Sequence, residues 1–228
     1  MPMSNPVLVL QRLRMRYRKE SLIKYVSHLD LMRIWERALR RACMPVAYSR
    51  GFNPQPKIVS AAALPVGFSS EAEVLDISLV RPLAPLDVLK KLSPQLPEGL
   101  SIMSIEEIAI TEPSLQSRMR QAEYRIKLRT SSPRHEIGER IQALLSTESI
   151  PRQKLRKGRM RSYDLRPLLD DAWVESGWDE GIILGMRLQL SGQSTGRPDD
   201  VLEALGYSDD TVSIRRTRLI WDQASPNA

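Results

Sequence analysis

Pro85-Leu86-Asp87-Val88-Leu89-Lys90-Lys91-Leu92 and Pro198-Asp199-Asp200-Val201-Leu202-Glu203-Ala204-Leu205 share the pattern P-x-D-V-L-x-x-L, once in each half of a 228-residue chain. A proline opening a run with leucines at helical spacing marks a helix start in both places. A second echo lies upstream of each. Leu13, Met15 and Tyr17 alternate with Arg14, Arg16 and Arg18, and Tyr124, Ile126 and Leu128 alternate with Arg125, Lys127 and Arg129. Strict alternation reads as a strand with one face buried. A repeat of this kind outranks local propensity as a guide to fold.

Between these anchors both halves carry elements in the same order. The first reads strand (12–18), helix (28–43), strand (57–63), strand (73–80), helix (85–92), strand (100–109). The second reads strand (121–130), helix (134–145), strand (152–164), strand (181–190), helix (198–205), strand (211–221). This predicts an α+β protein made of two ferredoxin-like units, βαββαβ twice, with antiparallel sheets. The expected domains are 10–112 and 118–222. The link at 111–117 holds Pro113 and small polar residues, as a boundary does.

Composition excludes several classes. With 42% hydrophobic and 27% charged residues the chain is not disordered as a whole. No run approaches the roughly 18 apolar residues of a membrane helix. Met1–Leu10 has no basic segment before its short apolar run, so no secretory signal is expected and the expected compartment is the cytoplasm. The single cysteine, Cys43, excludes an internal disulfide, a Cys-rich zinc site and a cysteine-held iron–sulfur cluster within this chain. With only His28 and His135 besides, no metal and no cofactor is expected.

The net charge is +7, from 34 Lys and Arg against 27 Asp and Glu. The excess concentrates between Ser114 and Arg166, with 14 basic and 5 acidic residues. It is densest at Arg152, Lys154, Arg156, Lys157, Arg159 and Arg161, around Gly158, which reads as a basic hairpin with cations projecting on both sides. The first strand of each unit is expected at the centre of its sheet. Its polar side would then lay Arg14 and Arg16, and Arg125, Lys127 and Arg129, across an open face. Uniform positive charge repels itself unless an anion lies across it, so the expected partner is a nucleic acid. RNA is favoured over DNA by fold analogy alone. The bland alternative is a set of solvated surface cations. Aromatics are scarce at 5%, leaving Phe52 and Tyr163 among the few candidates for base stacking.

Ser27-His28-Leu29-Asp30 opens the first long helix, with Ser27 as N-cap and Asp30 three residues on. His28 falls in the first turn, where free amides and the helix dipole disfavour its protonation. It is therefore a weak candidate for a catalytic base or a phosphate contact. After the helix comes a stiff loop presenting Arg50, Gly51, Phe52, Asn53, Gln55 and Lys57, with Pro54 and Pro56 restricting its backbone. With Ser27, His28 and Asp30 it forms the candidate recognition segment.

The runs 25–31 (Y-V-S-H-L-D-L), 40–42 (R-R-A), 45–57 (P-V-A-Y-S-R-G-F-N-P-Q-P-K) and 64–67 (L-P-V-G), with 164–167 (D-L-R-P) and 197–198 (R-P), resemble the radical-SAM-linked domain-of-unknown-function family. The resemblance covers roughly 12–221. It implies a partner, a B12-binding-type radical-SAM protein fused to or encoded beside such domains, here a separate chain. It carries over no catalytic residue. Three functions fit these observations: a non-enzymatic accessory domain that binds RNA and presents it to the partner, a metal-independent RNA endonuclease related in architecture to CRISPR repeat-processing enzymes, or a protein-interaction module. The glycine-rich loop of those nucleases has only Gly192–Gly196 as a counterpart.

Overall fold

The structure is a computed structural model that describes residues 9–156, 158–191 and 195–222, with backbone only at 154–156 and 159. The chain divides into two compact units, one ending at Arg118 and the other spanning Met119–Asp222. Among the described residues no helix is long and apolar enough to cross a membrane.

The first unit runs β1 (Gln11–Lys19), α1 (His28–Arg41), β2 (Ile58–Ser60), β3 (Ser69–Leu79), α2 (Pro85–Leu92), β4 (Leu100–Ile108) and a single turn, α3 (Leu115–Arg118). Its antiparallel sheet has the order β4-β1-β3-β2. The apolar half of β1 (Leu13, Met15, Tyr17) meets Leu31, Trp35, Ala38 and Leu39 of α1, Val88 and Leu92 of α2, and Leu75, Ile77 and Leu79 of β3. Tyr17 and Trp35 touch edge to face with ring centroids 5.0 Å apart. Lys19, only 1% exposed, sends its Nζ to the carbonyls of Lys24 and Val26 at 3.1 and 2.9 Å. It thereby ties the approach to α1 down onto the sheet.

The second unit repeats this plan with β5 (Met119–Leu128), α4 (Arg134–Ser146), β6 (Pro151–Arg156), β7 (Arg159–Asp164), β8 (Leu169–Trp178), β9 (Gly181–Gln189), α5 (Pro198–Leu205) and β10 (Thr211–Trp221). Its sheet order, β10-β5-β9-β8, matches the first unit position for position. The fold class is therefore tandem ferredoxin-like α+β. The two copies of the repeat are α2 and α5, each with proline in its first turn.

One strand assignment is corrected. The expected strand 152–164 is two strands, β6 and β7, which pair only with each other as a separate ribbon between α4 and β8. The second place in the unit belongs to β8, which has register shifts at Leu169/Asp171 and Val174/Ser176. Bulges break the alternation that reveals a strand in sequence. Of the glycine-rich stretch, 192–194 lie outside the described residues.

Candidate nucleic-acid interface

The first basic row is not an open cationic surface. Arg14 is 5% exposed and grips Asp76 through Nε (2.9 Å) and Nη2 (3.1 Å), while its Nη1 donates to Glu112 at 2.8 Å. Arg12 donates at 2.7 Å to Asp76 Oδ2, the oxygen that Arg14 Nη2 also uses, and to the Glu112 carbonyl. Arg118 closes the chain on the Glu112 carboxylate. Three guanidiniums and two carboxylates thus alternate across the face, and the link that carries Glu112 folds back over it. Burial works against the Arg14 charge, but hydrogen bonding and attraction from Asp76 and then Glu112 outweigh it and raise its pKa. Burial likewise favours neutral Glu112, yet Arg14 and Arg118 hold its pKa below the usual value. Of the two residues expected here to meet phosphates, Arg14 is committed internally and Arg16 is exposed.

In the second unit Arg125, Lys127 and Arg129 are exposed, as expected, and each has a neighbour. Arg125 Nε donates to Glu175 at 2.7 Å, and Arg129 donates to Glu180 at 2.7 Å. The Lys127 ammonium lies 5.1 Å from the centroid of the Trp178 ring, whose Nε1 donates to the Leu128 carbonyl at 3.1 Å. Exposed ion pairs of this kind are worth about 0–1 kcal/mol, so a phosphate can displace the carboxylate.

The ribbon is different. Between Pro151 and Tyr163 there are six Lys or Arg and no acidic residue. The register pairs Arg152 with Tyr163, Lys154 with Arg161, and Arg156 with Arg159. Strand alternation therefore assigns all five strand cations to one face of the ribbon rather than to both. Lys157 lies outside the described residues, beside Gly158, whose φ of 73° makes the turn. Like charges directly opposite on paired strands destabilise them by a few tenths to about 1 kcal/mol each.

The root of the ribbon is fixed. The Asp164 carboxylate accepts the amides of Ile150 (2.7 Å) and Arg166 (3.0 Å), which lower its pKa. Tyr163 donates to Asp200 of α5 at 2.6 Å, and Arg152 sits 3.8 Å from Glu203. Tyr163 is thus an anchor and not the free stacking ring expected; burial and the Asp200 carboxylate together push its pKa up. Arg161 is exposed.

The candidate recognition segment falls into two places. Ser27 caps α1, its Oγ accepting the Asp30 amide at 3.2 Å and lying 2.7 Å from the Asp30 carboxylate, which also takes Arg33 at 2.9 Å. These contacts, Ser27 first, lower the Asp30 pKa. His28 is half-buried beside this cap. The loop holding Arg50–Lys57 follows the other end of α1 and shares a groove with Glu36, Leu39 and Arg40. From His28 to Arg40 the helix rises about 18 Å, so His28 and the loop do not form one site. The loop is closed by Ser49 N to Gln55 O (2.7 Å) and Gln55 N to Ser49 Oγ (2.9 Å). At its tip Phe52 is fully exposed, with Arg50, Gly51, Asn53 and Gln55 exposed around it. Lys57 is half-buried.

Sequence reasoning missed Trp173 and Trp178, because β8 itself was missed. Trp173 is half-buried and its indole lies over Gly185, where a Cβ would stand 2.1 Å from the ring. Among the described residues no three His, Cys, Asp or Glu side chains converge as a metal site would require.

These features define a tandem ferredoxin-like α+β protein with an inserted basic ribbon. The profile of a family described as uncharacterised proteins conserved in bacteria (DUF2344) matches residues 12–198, and the chain belongs to that family. No curated protein matches the sequence. Among solved structures, a Cbf5-Nop10-Gar1 complex aligns with a TM-score of 0.50 at 12% identity, covering 91% of this chain and 48% of that one. The archaeal box H/ACA sRNP Nop10-Cbf5 complex aligns at 0.44 and 10% identity, covering 94% and 50%. The chain thus spans about half the length of these structures. The likeness to the first is one of fold.

Proposed function

We propose that the protein is a non-enzymatic accessory protein that binds RNA and presents it to a radical-SAM partner, its two units acting as domains over 10–112 and 118–222. The observation that carries RNA binding is the ribbon 151–164: five strand cations at positions of one face, two pairs of them directly opposed, with no acid until Asp164. A polyanion relieves that repulsion and releases counterions as it binds. Exposed Arg16, Arg125, Lys127 and Arg129 extend the contact. The partner is inferred from the motif resemblance at 25–31, 40–42, 45–57 and 64–67, and it docks on the closed loop whose tip is Phe52. A buried apolar anchor at the centre of an interface is the usual destination of such a side chain. The ribonuclease alternative gains no support from the site, since Ser27 and Asp30 beside His28 are committed to the helix cap.

The test is RNA binding as a function of salt. Reversing Arg156, Lys157 and Arg159 to Glu should weaken binding at least 10-fold and flatten the slope of log K against log salt by about 2–3. Unchanged affinity and slope would exclude the ribbon as the contact.

A further inference from the structure

We propose that the outer face of the second unit is a stacking platform for unpaired nucleotides. Trp173 receives a base, and Arg125 and Arg215 receive the adjoining phosphates. This deepens the RNA reading by naming single-stranded RNA as the ligand, and it rests on that reading only for the class of polymer.

The argument starts from register. Arg215 of β10 lies opposite Arg125 of β5, Arg125 opposite Gly185 of β9, and Gly185 opposite Trp173 of β8. These four form one straight row across the sheet. The flanking residues Leu184 and Met186 are fully buried on the helix side, so the row belongs to the other face. The next row, Arg218–Glu123–Arg187–Asp171, alternates in sign, and Glu123 takes Arg187 at 2.9 Å. It is balanced within itself. The row with Trp173 sets the exposed Arg215 and Arg125 directly opposite each other, and Glu175 meets Arg125 in an exposed pair.

Gly185 makes the platform possible. With no side chain there, the indole lies across the sheet and covers the glycine. An indole lying over a glycine of the sheet, beside arginines, suits sequence-tolerant stacking of bases in a single strand. Trp173 and Arg125 are two strands apart, about 10 Å, a gap that an arginine side chain and one nucleotide bridge. A duplex, whose bases are already stacked on each other, cannot use the ring.

The experiment is a fluorescence titration of the full chain with an oligouridylate of about 10 nucleotides and with an RNA duplex of matching charge. Oligouridylate is expected to quench tryptophan emission. Trp173→Leu is expected to weaken oligouridylate binding about 10-fold with the salt slope unchanged, and to leave duplex binding intact. Trp173→Phe, which keeps a ring and safeguards against misfolding of the leucine variant, is expected to retain affinity and lose the quench. The ribbon variant is expected to keep the quench while flattening the salt slope. Absence of quenching in the unaltered protein, or equal affinity in Trp173→Leu, overturns the platform even if the ribbon binds RNA. Quenching that depends on Trp173, alongside a silent ribbon variant, upholds the platform and overturns the ribbon reading.

Discussion

Glu112 links two of the arginines that the local sequence presents as surface cations. Its carboxylate meets Arg14 and Arg118, and its folded pKa lies below the ordinary 4.5. A carboxylate whose pKa falls on folding adds stability in full above its unfolded value, and that stability is lost as pH drops through the folded value. The unaltered protein is therefore expected to lose stability as the solution is acidified below about pH 4.5, and Glu112→Gln to lack this part of the acid slope. Near neutral pH the same change should cost about 3 kcal/mol, because it leaves Arg14 and Arg118 facing a neutral group in a buried setting. Urea unfolding of both proteins near neutral pH and at about pH 4 checks both statements; parallel pH profiles would refute the network. The arginine alternation in β1 was legible in the sequence. Its neutralisation was not, since Asp76 and Glu112 come from 62 and 98 residues away, beyond any local charge count.

At the scale of elements, the sequence is most informative where helical period and proline coincide. Pro85–Leu92 and Pro198–Leu205 are helices over the ranges expected, and Thr211–Trp221 is the expected last strand. It is least informative at β8, where two bulges interrupt the period and acidic residues stand among the apolar ones. The ribbon, by contrast, alternates well and so took the place of β8 in the sequence reading. Its anchor to α5 is a local affair. Tyr163→Phe removes the donor to Asp200 and is expected to lower global stability by only about 1 kcal/mol. It should markedly speed amide exchange across 151–164, since local opening needs few contacts to be lost. Exchange measured by mass spectrometry would show the change confined to the ribbon; a rise spread over β5 and β9 would contradict the anchor.

At the scale of the whole molecule, contact surfaces are separable because they stand on different elements. Phe52 touches nothing that the core needs. Phe52→Ser is therefore expected to leave thermal stability within about 0.5 kcal/mol and RNA affinity unaltered, while abolishing capture of a radical-SAM protein by the tagged chain. Retained capture would remove the loop from the interface. The ribbon has its own independence. Its two ends meet: Leu165 N donates to Ile150 O at 2.9 Å, and Asp164 clasps the Ile150 amide. An insertion that leaves and returns at one point can be gained or excised without stretching the host, so a scaffold of this kind can take on such a ribbon late, as a graft, and lose it again while remaining folded.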